Sequence, residues 1–130
     1  MQWTPWITLA ALLMYLWTAL NAAKARVTYK VPAPQADGPI EFLSAQRVQA
    51  NTVEQMVMFL PALWMCAAFL GDLWAAAGGA LWIVGRVIYA LSYYKDPGKR
   101  TVGFVISFSA TMLLMVGTVV ALIMQAVRHG

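Results

Sequence analysis

The sequence predicts an all-α integral membrane protein, a four-helix transmembrane bundle with up-down-up-down topology, and two observations support this prediction. The 130 residues are 62% hydrophobic and 11% charged, whereas a soluble domain carries roughly twice that charged fraction. The apolar residues also fall into four blocks, and a helix needs about 20 apolar residues to cross the hydrocarbon layer. We expect a single domain over residues 1–130, with spans at approximately 4–25, 42–70, 73–94 and 100–127.

The first span begins at Thr4-Pro5, a pair typical of a helix start, with the threonine as cap and the proline in the first turn. It has no Lys or Arg before its apolar run and is longer than the core of a usual signal peptide. We therefore expect it to be retained as a helix.

The second block reaches spanning length only if the polar segment 47–55 belongs to it, and Pro61 is expected to kink the resulting helix. The first connection contains three prolines, which break helices, within KARVTYKVPAPQADGPIEF. The connections at Gly71-Asp72 and Asp96-Pro97-Gly98 are tight turns. Short connections of this kind favour antiparallel neighbouring helices.

The basic residues are distributed unequally between the two ends of the predicted bundle. Those in the first and third connections are Lys24, Arg26, Lys30, Lys95, Lys99 and Arg100. Only Arg128 lies at the other end, so the positive-inside rule places both termini and the Gly71-Asp72 turn away from the cytoplasm. In a bacterium this would be the inner, or cell, membrane. The net charge of +4 is explained by this placement, and we expect no nucleic-acid partner.

The cysteine and histidine content argues against metal chemistry. Cys66 is the only cysteine and lies in the middle of a span, where packing is the ordinary role. His129 lies in the tail of the chain. We expect no intrachain disulfide, no thiol metal cluster and no metal cofactor.

Two polar stripes interrupt the apolar spans. Arg47, Asn51 and Glu54 fall within roughly a 60° arc of the second helix, at about 100° per residue. Arg86 and the tyrosines at 89 and 93 share an arc of similar width on the third helix. Each set therefore occupies one helix face.

The two stripes are also predicted to lie at the same depth. Glu54 is about ten residues from the first loop and Arg86 about nine from the third loop, which is roughly 15 Å at 1.5 Å per residue. Arg26 and Arg100 are placed at the rim of the same opening. All four helices thus bring polar groups to the cytoplasmic leaflet.

A charged side chain at the bilayer centre costs about 3 kcal/mol, so these groups must face each other, a wet cavity or a ligand. Arginines offer forked donors that suit carboxylates, while Glu54 can hold an ammonium group and Asn51 an amide. The set suits a small zwitterionic peptide with more than one carboxylate, such as glutathione. The alternative is that Arg47 or Arg86 forms an ion pair with Glu54 that merely holds the bundle together.

The motifs resemble those of the MAPEG family, the membrane-associated proteins of eicosanoid and glutathione metabolism, which include microsomal glutathione transferases. The resemblance rests on GPIEF at 38–42, followed by Arg47-x-Gln49-x-Asn51-x-x-Glu54. It continues with Arg86-x-x-Tyr89-x-x-x-Tyr93 and with Arg100 at the start of the fourth span. The sequence departs from many relatives at Gln55, where they carry an aromatic residue, and at Pro61, where their proline comes earlier.

The resemblance implies a homotrimer with glutathione as co-substrate, bound between neighbouring subunits on the cytoplasmic side. The residues that would hold it come from two subunits, and they are Arg47, Asn51, Glu54, Tyr89 and Tyr93 of one and Arg26 and Gln49 of the next. Arg86 would support the floor of the site. Arg100 matches the position that stabilises the glutathione thiolate in catalytic members.

The function that the resemblance implies is a membrane glutathione transferase acting on lipophilic electrophiles, which would approach from the lipid between the first and fourth helices. Peroxidase activity on lipid hydroperoxides is a second activity that it leaves open. One alternative is a non-catalytic MAPEG-like protein that binds lipid or serves as a scaffold, although the motif residues favour catalysis. Another is a small exporter using one buried carboxylate, against which the arginines near Glu54 count.

Overall fold

The computed structural model describes residues 2–129, and these residues form four long helices. These are α1 (Thr4–Thr28), α2 (Ile40–Phe69), α3 (Asp72–Lys95) and α4 (Thr101–His129), with a 3-10 turn at Pro97–Lys99. Each of the four is long and apolar enough to cross a membrane. The prediction of an all-helical chain with four helices of membrane-spanning length is confirmed for the described residues. Each helix begins and ends within three residues of the predicted span. That they form one domain stays a prediction.

Helices α2 and α3 form the middle of the bundle, because α1 packs against both of them and so does α4. The core of the bundle is apolar, and within it the Phe59 ring of α2 stacks on the Trp82 ring of α3, with ring centroids 3.9 Å apart. Large apolar side chains such as Leu13 and Val116 are exposed on the outside of the bundle, as expected where lipid replaces water. Helix α2 continues through Pro61 without interruption, and the kink expected there stays a prediction.

Two glycines let α3 and α4 approach closely. A side-chain Cβ added at Gly103 would collide with the backbone nitrogen of Tyr89. One added at Gly85 would lie 2.6 Å from the backbone nitrogen of Ser107. Small residues at helix crossings of this kind allow backbones to meet in membrane bundles. The close crossing places the start of α4 against the part of α3 that carries the polar stripe.

The N-terminus of α1 is capped from another helix, which corrects the expectation that Thr4 is the cap. The residue at the cap position is Trp3, and its side chain makes no capping hydrogen bond. Instead the Asp72 carboxylate accepts hydrogen bonds from the backbone N–H groups of Trp3 at 2.8 Å and Thr4 at 2.9 Å, and from the Thr4 hydroxyl at 2.7 Å. A carboxylate near a helix N-terminus also interacts favourably with the helix dipole. The turn between α2 and α3 is thereby tied to α1.

Candidate functional site

A cavity of about 400 Å³ opens between three helices at the end of the bundle near the first and third connections. This volume lies in the range of small-molecule sites. The residues that line it are Arg47 and Asn51 of α2, Tyr89 and Tyr93 of α3, the connecting Arg100, and Thr101 and Phe104 of α4. Five of the residues predicted for the site therefore surround one cavity.

Arg47, on the α2 wall of the cavity, forms an ion pair with Glu54. The Arg47 Nη1 atom lies 3.3 Å from Glu54 Oε1, and the two side chains are 51% and 55% exposed. Glu54 does not line the cavity, but its partner Arg47 does. Because both residues belong to α2, this pair does not hold two helices together, so the contact does not support the purely structural alternative.

Arg86 forms the floor beneath Asn51 and is completely buried. Its Nη2 group donates to Asn51 Oδ1 at 2.8 Å and to Thr52 Oγ1 at 3.0 Å, and Nη1 donates to Ser107 Oγ at 3.4 Å. Its guanidinium carbon lies 4.1 Å from the centre of the Tyr89 ring. Arg86 has no carboxylate partner among residues 2–129, so the expected alternative pairing with Glu54 does not occur.

The hydrogen bond from Arg86 also orients the amide of Asn51. An asparagine side chain offers one carbonyl oxygen and one NH₂ group. The oxygen accepts from Arg86, so the NH₂ group is the part of the amide that stays free of this contact. Asn51 is one of the residues that line the cavity.

The opposite wall carries two tyrosines and an arginine. The rings of Tyr89 and Tyr93 meet edge to face, with centroids 5.6 Å apart. The Arg100 guanidinium carbon lies 5.8 Å from the centre of the Tyr93 ring, and Arg100 Nη1 donates to the Pro97 carbonyl at 2.7 Å. The turn thus holds Arg100 at the rim, and because a guanidinium has five N–H donors, most of them remain for a ligand.

Arg26 and Gln49 do not line this cavity within the single chain. Arg26 Nη1 donates to the carbonyl oxygens of Val31 and Gln35, which orders the first connection. Gln49 Nε2 donates to the Tyr15 hydroxyl of α1 at 3.3 Å. Their predicted role toward a neighbouring subunit stays a prediction.

Four residues at or beneath the cavity were not among the predicted site residues, and they are Thr52, Thr101, Phe104 and Ser107. Thr52 and Ser107 complete the set of acceptors around Arg86, and Phe104 is part of the cavity wall. The spacing of four residues between Arg100 and Phe104 would have placed both on one face of a helix. No comparable signal existed for Ser107, because its contact depends on how α3 crosses α4.

The arrangement of these residues is accompanied by sequence similarity over most of the chain. Residues 4–120 match the model of the MAPEG family. The chain belongs to the MAPEG family. The resemblance inferred from the motifs is thereby confirmed, and together with four helices able to cross a bilayer it makes this MAPEG chain a multi-pass integral membrane protein.

Similar proteins include both characterised and uncharacterised members. The chain is 39% identical to an uncharacterised protein of Synechocystis, over 95% of this chain and 90% of that protein. It is 36% identical to human microsomal glutathione S-transferase 2, over 74% of this chain and 65% of the human protein. It is 29% identical to bovine leukotriene C4 synthase, over 84% of this chain and 73% of the synthase.

Proposed function

We propose that this MAPEG protein is a membrane-embedded glutathione transferase, which joins the glutathione sulfur to a lipophilic electrophile. The observation that carries the proposal is the convergence of arginine, asparagine and tyrosine side chains from three helices on one cavity in an otherwise apolar bundle. The similarity to a protein named as a glutathione S-transferase supports it.

The charges around the cavity match the charge of glutathione. Arg47, Arg86 and Arg100 against Glu54 leave two net positive charges. Glutathione has two carboxylates and one ammonium group, so its thiolate form carries two net negative charges. In the proposal the exposed guanidinium groups bind the carboxylates, Glu54 binds the ammonium group and the Asn51 amide donates to the peptide.

Arg100 is the residue proposed to favour the thiolate. A free thiol has a pKa near 8.5 and is only a few per cent ionised at neutral pH, and a neighbouring arginine lowers that pKa. With an aryl halide, the thiol proton passes to solvent and the sulfur attacks the carbon that carries the halogen. The carbon–sulfur bond forms, the carbon–halogen bond breaks, and the halide leaves with the electron pair.

The proposal includes a homotrimer whose sites open toward the cytoplasm, with Arg26 and Gln49 reaching a neighbouring site. The excess of basic residues at the end of the bundle that contains the cavity supports the orientation. The half-exposed Arg47–Glu54 pair supports a covering subunit or a wet cavity, since charges facing lipid are costly.

Glutathione binding tests the proposal directly. We expect millimolar glutathione to raise the melting temperature of the purified protein in detergent, because a ligand that binds the folded state stabilises it. The matched control is γ-glutamylglutamate at the same concentration, which lacks the cysteinyl-glycine part. Absence of any shift with glutathione would reject the peptide site. A shift without turnover of any electrophile would instead support the non-catalytic, lipid-binding alternative.

A further inference from the structure

Phe104 differs from every other residue that lines the cavity. The remaining six residues bring guanidinium, amide or hydroxyl groups to it. Phe104 brings only an aromatic ring, and that ring is half-buried. Phe104, in the first turn of α4, is therefore the one lining residue whose side chain has no polar group.

The apolar surface of Phe104 continues out of the cavity along α4. The Phe104 ring stacks on the Phe108 ring, with centroids 5.8 Å apart and an angle of 14° between the planes. Phe104 also contacts Tyr89, with ring centroids 6.4 Å apart and the planes tilted by 51°. Phe108 is 36% exposed on the outside of the chain. Two parallel rings thus lead from the outer surface of the bundle into the polar cavity.

The proposed reaction requires a thiolate sulfur to meet the electrophilic carbon of an otherwise apolar molecule. Arg100 lies directly before α4, and the Phe104 N–H group donates to the Arg100 carbonyl oxygen at 3.3 Å, so the two residues are one helical turn apart. Residues at this spacing have Cβ atoms about 5–6 Å apart. A molecule resting on Phe104 would therefore lie beside a sulfur held by Arg100. Aromatic rings favour offset stacking on one another, so a flat ring fits this wall better than a flexible chain does.

We propose that Phe104, extended by Phe108, is the acceptor wall of the site and gives the enzyme a preference for flat aromatic electrophiles over straight-chain aliphatic ones. The inference rests on the proposed transferase function and deepens it by naming the class of the second substrate. Phe104 acts by stacking on the electrophile. Phe108 acts by stacking on Phe104, which holds the Phe104 ring in a fixed orientation.

The test compares two glutathione conjugates and two electrophiles. The conjugates are S-(2,4-dinitrophenyl)glutathione and S-hexylglutathione, whose dissociation constants are measured by thermal shift or calorimetry without any turnover. The electrophiles are 1-chloro-2,4-dinitrobenzene and trans-2-nonenal. In the second reaction the sulfur bonds to the β-carbon of the enal and the α-carbon takes up a proton, so no group leaves.

The informative variants are Phe104→Leu, which keeps an apolar side chain but removes the ring, and Phe104→Trp, which keeps an aromatic surface. We expect Phe104→Leu to reduce the preference for the dinitrophenyl conjugate about tenfold, the scale of one aromatic contact of this geometry with its buried area. The preference in kcat/KM for the aryl chloride should fall by a similar factor, with the KM for glutathione unchanged. Phe104→Trp should retain both preferences.

Val105→Ala is the matched control, because Val105 lies beside Phe104 on α4 but is exposed and does not line the cavity. It should leave both preferences unchanged. If Phe104→Leu lowers the values for both ligands equally, or lowers neither, the acceptor wall is rejected while the transferase function stands. If the wild-type protein binds the conjugates with the expected preference but turns over no electrophile, the transferase function is rejected and the aromatic wall stands. Binding of neither conjugate would reject both.

Discussion

Arg86 of α3 donates a hydrogen bond of 2.8 Å to Asn51 of α2, and this contact joins two helices directly beneath the cavity. A buried charge is costly unless it is hydrogen-bonded, and the Nη1 and Nη2 groups of Arg86 donate to neutral acceptors. Its buried Nε group has no hydrogen-bond partner among residues 2–129. Its positive charge therefore remains available to attract an anion above it. The same contact fixes the direction of the Asn51 amide.

Replacing Arg86 with methionine tests this floor. We expect Arg86→Met to weaken glutathione binding clearly while the melting temperature changes little. The methionine side chain fills much of the volume of the arginine, but the positive charge and the hydrogen bond that orients Asn51 are lost. The measurements are the glutathione dissociation constant and the melting temperature in detergent. Arg128→Met, at the exposed far end of α4, is the control. An unchanged dissociation constant for Arg86→Met would contradict this role.

Replacing Arg100 with alanine separates binding from catalysis. We expect Arg100→Ala to keep most of the glutathione affinity but to reduce kcat sharply, since the bound thiol would return toward its ordinary pKa. If Arg100 lowers the pKa of the bound thiol as proposed, the wild-type protein should already hold the thiolate at neutral pH, whereas the variant should recover activity only as the pH rises. The rate profile against pH with an aryl halide, together with ultraviolet difference absorbance of the bound thiolate, measures this. Equal turnover at pH 7 would reject the assignment.

Glu54→Gln tests whether the carboxylate of the α2 ion pair holds the ammonium group of glutathione. We expect the variant to bind glutathione more weakly, because the charge-assisted hydrogen bond to the ammonium group is lost. Its affinity for a glutathione analogue without the amino group should match that of the wild-type protein. Calorimetry with both ligands measures the difference. Equal weakening for the two ligands would show instead that Glu54 acts only by positioning Arg47.

Gly103→Ala tests the dependence of the cavity on the close crossing of α3 and α4. The added methyl group would collide with the backbone of Tyr89, and overpacking of this kind typically costs about 1–3 kcal/mol. We expect a lower melting temperature and weaker glutathione binding, because Arg100 moves away from Tyr93. At Gly98 the nearest atom to an added Cβ is 3.4 Å away in an exposed side chain, so Gly98→Ala is the control. Wild-type binding by Gly103→Ala would contradict this dependence.

The sequence by itself determined the features that depend on one helix at a time. Hydropathy separated four blocks of spanning length, because the bilayer core requires a fixed number of apolar residues. The helical period placed Arg47 near Asn51 and Tyr89 near Tyr93, and the structure brings all four to one cavity. The motif spacing also indicated the family, which the match over residues 4–120 confirms. The roles of the site residues, the trimer and the membrane orientation stay predictions.

Only the tertiary structure decided the contacts between helices. It pairs Arg86 with Asn51 rather than with Glu54 and caps α1 with Asp72 rather than with Thr4. It also adds Phe104 to the polar cavity. The physical reason is that such contacts depend on the rotation and separation of neighbouring helices. At the crossing of α3 and α4 that separation depends on glycines whose importance appears only when the two backbones are seen together.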